Sequence, residues 1–143
     1  MTYRTPRLND APKPKRKKHN YVGAPAIFAL EQACATVWKA FCEDAKHGGC
    51  YLVGSALESA DWRDVDVRCI LDDAAFAALF PQAAQSWEQD TRWLLLTVSI
   101  SAWLSKQSGL PVDFQFQPAT HANKVHAGQR HAIGLSCMRF AKS

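Results

Sequence analysis

Tyr51-Leu-Val-Gly-Ser55, followed after a polar loop by Asp64-Val-Asp-Val67, is the stretch whose reading decides the fold. An apolar run that ends in Gly-Ser reads as a strand leading into a tight turn. The second run reads as a strand with alternating sides, because successive side chains of an extended chain point to opposite faces. Asp64 and Asp66 then share one face, while Val65 and Val67 point into a core. Two acids side by side on a sheet repel, so they are solvated, paired with a cation, or holding a metal. Magnesium suits such a pair, since it takes few carboxylates and completes its octahedron with water and substrate phosphates. A third acid, Asp113, lies in Pro111-Val-Asp-Phe-Gln-Phe-Gln117 and alternates with Val112 and Phe114 in the same way.

Outward from these strands, the chain alternates helical and extended patterns. Pro25 fits the first turn of a helix whose apolar stripe is Ile27, Leu30, Cys34, Val37, Trp38 and Phe41, with Gly48-Gly49 at its end. Cys50 to Val53 reads as a strand, Ala56 to Ala60 as one helical turn with free N–H groups, and Asp64 to Leu71 as the acid-bearing strand. Asp72 or Asp73 caps a short helix over Ala74 to Phe80, which stops at Pro81. A longer helix is expected from about Ala83 to Lys106, with Trp93, Leu96, Ile100, Trp103 and Leu104 on one face and Gly109 beyond it. Pro111 starts the third strand. After Pro118 no period is visible, only a polar, basic segment holding Lys124, His126, Arg130 and His131. The expected architecture is α/β (α+β): a small mixed sheet with helices packed mainly on one face and the acids on the other.

At 143 residues the chain is of single-domain size. Its 48% hydrophobic and 21% charged composition is that of a globular protein. No apolar run reaches the length of a membrane span, and the N-terminus does not read as a secretory signal. Five cysteines, none in a Cys-x-x-Cys pair, fit a reducing cytoplasm better than a disulfide framework or a zinc site. The net charge of +4 is unevenly spread. Residues 1–20 carry seven Lys and Arg against one acid, which leaves ten basic against twelve acidic residues in 21–143. The first segment, with Lys13, Lys15, Arg16, Lys17 and Lys18, is broken by proline and lacks a hydrophobic run, so it reads as a disordered basic arm. Such an arm either solubilises the protein or binds nucleic acid through phosphates. Residues 21–143 read as one domain.

The order strand–Gly-Ser, strand with Asp-x-Asp, later strand with a third acid resembles the DNA polymerase beta-type nucleotidyltransferase superfamily in its small, minimal form. The resemblance spans about Pro25 to Gln117. It implies that Asp64, Asp66 and Asp113 are catalytic and hold magnesium or manganese, and that Gly54 and Ser55 contact the phosphates of a nucleoside triphosphate such as ATP. It further implies two-metal transfer of a nucleotide to a hydroxyl of a nucleic acid or protein acceptor. The chain departs from the family in a slightly shorter loop between Ser55 and Asp64, and in Ala56-Leu57-Glu58, where many small members carry a basic residue.

Several residues have two readings. Arg68 shares the face of Asp66 and is either a phosphate clamp or the ion-pair partner of the acids. Lys124 and Arg130 either close over the triphosphate or an RNA end, or lie in a solvated loop. Trp62 either stacks on a base or packs under its loop. Gln115 and Gln117 share the face of Asp113 as hydrogen-bonding or merely exposed polar groups. The alternative to an enzyme is a non-catalytic module of the same fold that binds nucleic acid or a partner protein, in a toxin–antitoxin-like role for instance.

Overall fold

The computed structural model describes residues 20–83, 86–126 and 128–133. Four α-helices and a four-stranded mixed sheet make a mixed α/β architecture. Helix α1 (Ala26–Phe41) leads to strand β1 (Gly48–Val53), a 3-10 turn over Gly54–Leu57, strand β2 (Val65–Leu71) and helix α2 (Asp73–Leu79). Helix α3 (Thr91–Ser108), strand β3 (Val112–Pro118), helix α4 (Ala119–Val125) and strand β4 (His131–Ile133) complete it. The strand order is β3-β2-β1-β4; β2 and β3 run parallel, whereas β1 is antiparallel to both its neighbours.

Register divides the sheet into two chemical faces. On one, Cys50, Leu52, Val65, Val67, Cys69, Leu71, Val112, Phe114, Phe116 and Ile133 are buried. They join Leu30, Cys34 and Val37 of α1, Phe76 of α2, and Trp93, Ile100 and Leu104 of α3 in one core. The other face carries Tyr51, Val53, Asp66, Arg68, Asp113, Gln115 and Gln117. The hydrophobic effect fixes this choice, since slipping β2 by one residue would turn its valines to water and its acid into the core.

Helix boundaries differ from expectation for local reasons. Helix α1 stops at Phe41, because Cys42 leaves helical geometry, and the backbone N–H groups of Lys46 and His47 turn to Asp72 Oδ1 (3.1 and 3.5 Å). Gly48-Gly49 therefore opens β1 instead of ending the helix. A Cβ on Gly48 would stand 1.9 Å from the Ile70 carbonyl oxygen, so only glycine lets the strands meet there. The cap of α2 is Asp72, which accepts from Ala75 N. Helix α3 begins at Thr91, eight residues later than expected, because Asp90 accepts from the N–H groups of Arg92 and Trp93. Its buried stripe is Trp93, Thr97, Ile100 and Leu104. Trp103, expected inside, is 39% exposed.

The segment after Pro118, expected to lack regular structure, contains α4 and β4. Asp73 caps α4 from a distance, accepting from both the backbone N–H and the hydroxyl of Thr120. Those bonds hold the Asp73 carboxyl below its usual range. Asn20, expected in the arm, belongs to the fold: its amide bonds His131 Nδ1 (2.9 Å) and the Val22 backbone. The rest of the expected arm, including Lys13, Lys15, Arg16, Lys17 and Lys18, lies outside the described residues. Among the described residues, no helix is long and apolar enough to cross a membrane.

Candidate active site on the polar sheet face

Strands β1, β2 and β3 bring the singled-out residues to one end of the polar face. Asp66 and Asp113 are direct partners in the parallel β2–β3 pair, so their side chains leave the same face side by side. Val53, the last residue of β1, stands opposite Asp66. The chain then turns immediately beside that carboxyl through Gly54, at a φ of +76°. A Cβ on Gly54 would meet Asp66 Oδ2 at 2.3 Å. Glycine is thus required twice over, by its left-handed backbone and by the carboxylate at its side. Ser55 follows, exposed, with its carbonyl accepting from Glu58 N and Ser59 N. Asp64 is exposed and immediately precedes β2.

Electrostatics place these groups in one field. Burial pushes the Asp66 carboxyl above its ordinary range; Arg68 pulls it back, while Asp113 and Asp64 push it further up. Arg68 is only 9% exposed. Its Nη1 donates to the carbonyl oxygens of Val67 (3.0 Å) and Asp113 (2.8 Å), and its Nη2 stands 3.7 Å from Asp113 Oδ2. Its Nε is buried without a hydrogen-bond partner. Of its two readings, the ion pair with an acid is the one the structure displays.

The other candidates divide. Arg130 places its guanidinium over the Tyr51 ring, 4.9 Å from the centroid, and Tyr51 is the cross-strand partner of Arg68. His126 follows the last turn of α4, and burial holds its imidazole below the ordinary titration range, helped by the charges of Arg68, His121 and Arg130. The sequence marked these residues only as members of a basic segment; their approach to Arg68 depends on α4 folding back beside β2 and β3. Lys124 is exposed on the last turn of α4, and no bond ties it to the acids. Gln115 and Gln117 bond each other (3.2 Å), and Gln117 is buried, not an exposed strand-end polar group. Trp62 packs against the core and donates from Nε1 to the Tyr21 carbonyl (3.1 Å), which is the packing role and not the stacking one.

Carboxylate oxygens beside a glycine turn have the donor chemistry that magnesium takes. Among the described residues, however, no three His, Cys, Asp or Glu side chains are gathered closely enough to grip an ion unaided. A cation held there would take only part of its ligands from these acids and the rest from water and substrate phosphates. Compared with protein-family models, with curated proteins and with solved structures, the chain matches none.

Proposed function

We propose that this chain is a magnesium-dependent nucleotidyltransferase of the polymerase beta-type superfamily, transferring a nucleotide from a nucleoside triphosphate to a hydroxyl of a nucleic acid or protein acceptor. The observation that supports this most is the abutment of the Gly54 turn on Asp66, with Asp113 paired to Asp66 across the strands. In this reading the phosphates lie against the exposed side of the Gly54-Ser55 turn, while the Asp66 carboxyl fills the space a Gly54 side chain would take. Asp64 and Asp66 hold magnesium or manganese against them, and Asp113 stands on the side of the incoming hydroxyl. A bound divalent cation supplies charge neutralisation and lowers the pKa of the attacking hydroxyl. Arg68 fixes Asp113 and offsets the mutual repulsion of the acids before substrate arrives. Arg130 and Lys124 provide further positive charge toward the triphosphate. The protein contributes mainly position and fixed charge, as phosphoryl transfer requires.

Incubation with each alpha-labelled triphosphate, magnesium or manganese, and total RNA or lysate tests the proposal. Transferred label that disappears in Asp66→Asn supports it; no label on any acceptor, with no triphosphate-dependent stabilisation, ends it. A second reading is favoured by one observation, the Arg68–Asp113 ion pair inside the candidate metal site. A guanidinium already satisfying an acid is what a non-catalytic module of this fold would keep. Such a module would bind nucleic acid through Lys13, Lys15, Arg16, Lys17 and Lys18, or a partner protein. Metal-independent RNA binding without label transfer would select it.

A further inference from the structure

The core face of the sheet holds a thiol cluster that the proposed function does not use. Cys42 Sγ and Cys69 Sγ are 3.6 Å apart, in contact across the interface between the end of α1 and the middle of β2. Cys50 is the direct cross-strand partner of Cys69 on β1, and its own Sγ lies 4.0 Å from the Cys34 carbonyl oxygen. All four of these cysteines are buried.

We propose that Cys42 and Cys69 form a reversible disulfide when a hydroperoxide oxidises the folded chain. Bond formation needs the two sulfurs to close by about 1.5 Å, to the ~2.05 Å of a disulfide. Cys42 has the freedom to make that movement. It caps α1 and is followed by the exposed Glu43 and Asp44, and only the Cys42 N to Trp38 O and Ala45 N to Cys42 O bonds hold its backbone. Cys69 has none, being paired on one side to Cys50 and on the other to Phe116. Burial, together with hydrogen bonding to Cys42 and Cys50, also pushes the Cys69 thiol well up, so it is a poor first nucleophile. The order of events follows. Opening of the last turn of α1 exposes Cys42, whose thiolate attacks the peroxide oxygen, giving a sulfenic acid and releasing an alcohol or water. On reclosing, Cys69 sulfur attacks the Cys42 sulfenic sulfur, and hydroxide leaves with the Cys69 proton as water. Two thiols and one hydroperoxide thus become one disulfide, one alcohol (or water) and one water. The Cys50–Cys69 pair is less suited, since both cysteines are held in opposed extended strands and neither backbone can yield. The bridge would tie α1 to the central strand on the side away from Asp66, and so would act on stability and opening and not on the polar face.

The test treats the full reduced chain with hydrogen peroxide, followed by alkylation and non-reducing peptide mapping. The expected product is a Cys42–Cys69 cross-linked peptide, removed by dithiothreitol, absent in Cys42→Ser and retained in Cys50→Ser. The oxidised chain should melt higher than the reduced one, and dithiothreitol should reverse the shift. A dominant link through Cys50 or Cys137, sulfinic acid without any link, or a lowered melting temperature would overturn the proposal. None of these results bears on the nucleotidyltransferase reading, which label transfer and triphosphate-dependent stabilisation decide.

Discussion

At the scale of single residues, Gly54 and Asp66 set the strongest constraints. Gly54→Val places a branched side chain at a left-handed φ, which costs about 1–2 kcal/mol, and drives its Cβ into the Asp66 carboxyl. The variant should therefore lose stability by chemical denaturation as well as any triphosphate response, and Ser55→Ala is the cleaner probe of phosphate binding. Asp66 makes a pH-dependent prediction. Its carboxyl titrates higher in the fold than in the unfolded chain, so the neutral form is favoured on folding. That preference is fully present below the unfolded value and fades as pH rises through the raised one. Asp66→Asn removes the cost of charging, so its melting temperature should exceed the parent's near pH 7, with the gap closing as pH falls below about 4. An equal gap at both pH values would contradict the assigned burial. Arg68→Ala should raise the Asp66 titration point further, observable in a carboxyl-selective NMR titration, because the guanidinium charge that pulls it down is gone.

At the scale of elements, carboxylates cap the starts of α2, α3 and α4, whereas α1 starts after Pro25 without a side-chain cap. Asp90 accepts two backbone N–H groups at the head of α3, so Asp90→Ala should cost about 1 kcal/mol in a denaturant titration. The sequence contained this signal, an aspartate just before Thr91 and the apolar run, yet the polar residues after Pro81 fit the expected helix equally well. The α4 cap is different in kind. Asp73 reaches Thr120 across 47 positions of chain, and no local pattern announces it. The absence of a visible period after Pro118 has the same origin, because a seven-residue helix and a three-residue strand are too short to display one. The first helix and the three long strands were legible because each buries a stripe or a face long enough to repeat.

At the scale of the molecule, two predictions address partners. A triphosphate with magnesium should stabilise the protein by about 2.7 kcal/mol at a hundredfold excess over its dissociation constant, measured as a thermal shift. If no triphosphate shifts the melt, the enzyme reading falls and the binding module remains. Removing residues 1–19 should flatten the salt dependence of nucleic-acid affinity, by roughly 0.9 log unit per decade of salt for every duplex phosphate that the arm neutralises. An unchanged slope would leave the arm a solubilising role alone.

By itself, the sequence determined which residues could share a face: period-two alternation sent Asp66 and Asp113 one way and their valine and phenylalanine neighbours the other, whereas Asp64, expected in the same strand, lies just before its first residue. It also marked Gly54 as a turn. The pairing of β2 with β3 in parallel, which sets Asp66 against Asp113, was a tertiary decision, because alternation specifies a face but not a neighbouring strand. So was the placement of the Arg68 guanidinium. Its spacing from Asp66 allowed a phosphate clamp or an ion pair equally, and only the position of the Val67 and Asp113 carbonyls fixed its guanidinium in place. Asn20 shows the same limit at the chain's edge, since composition assigned it to the basic arm while a bond to His131, 111 positions away, holds it in the fold. Local alternation is a property of adjacent covalent geometry. Pairing and ion contacts depend on which distant surfaces the hydrophobic core brings together.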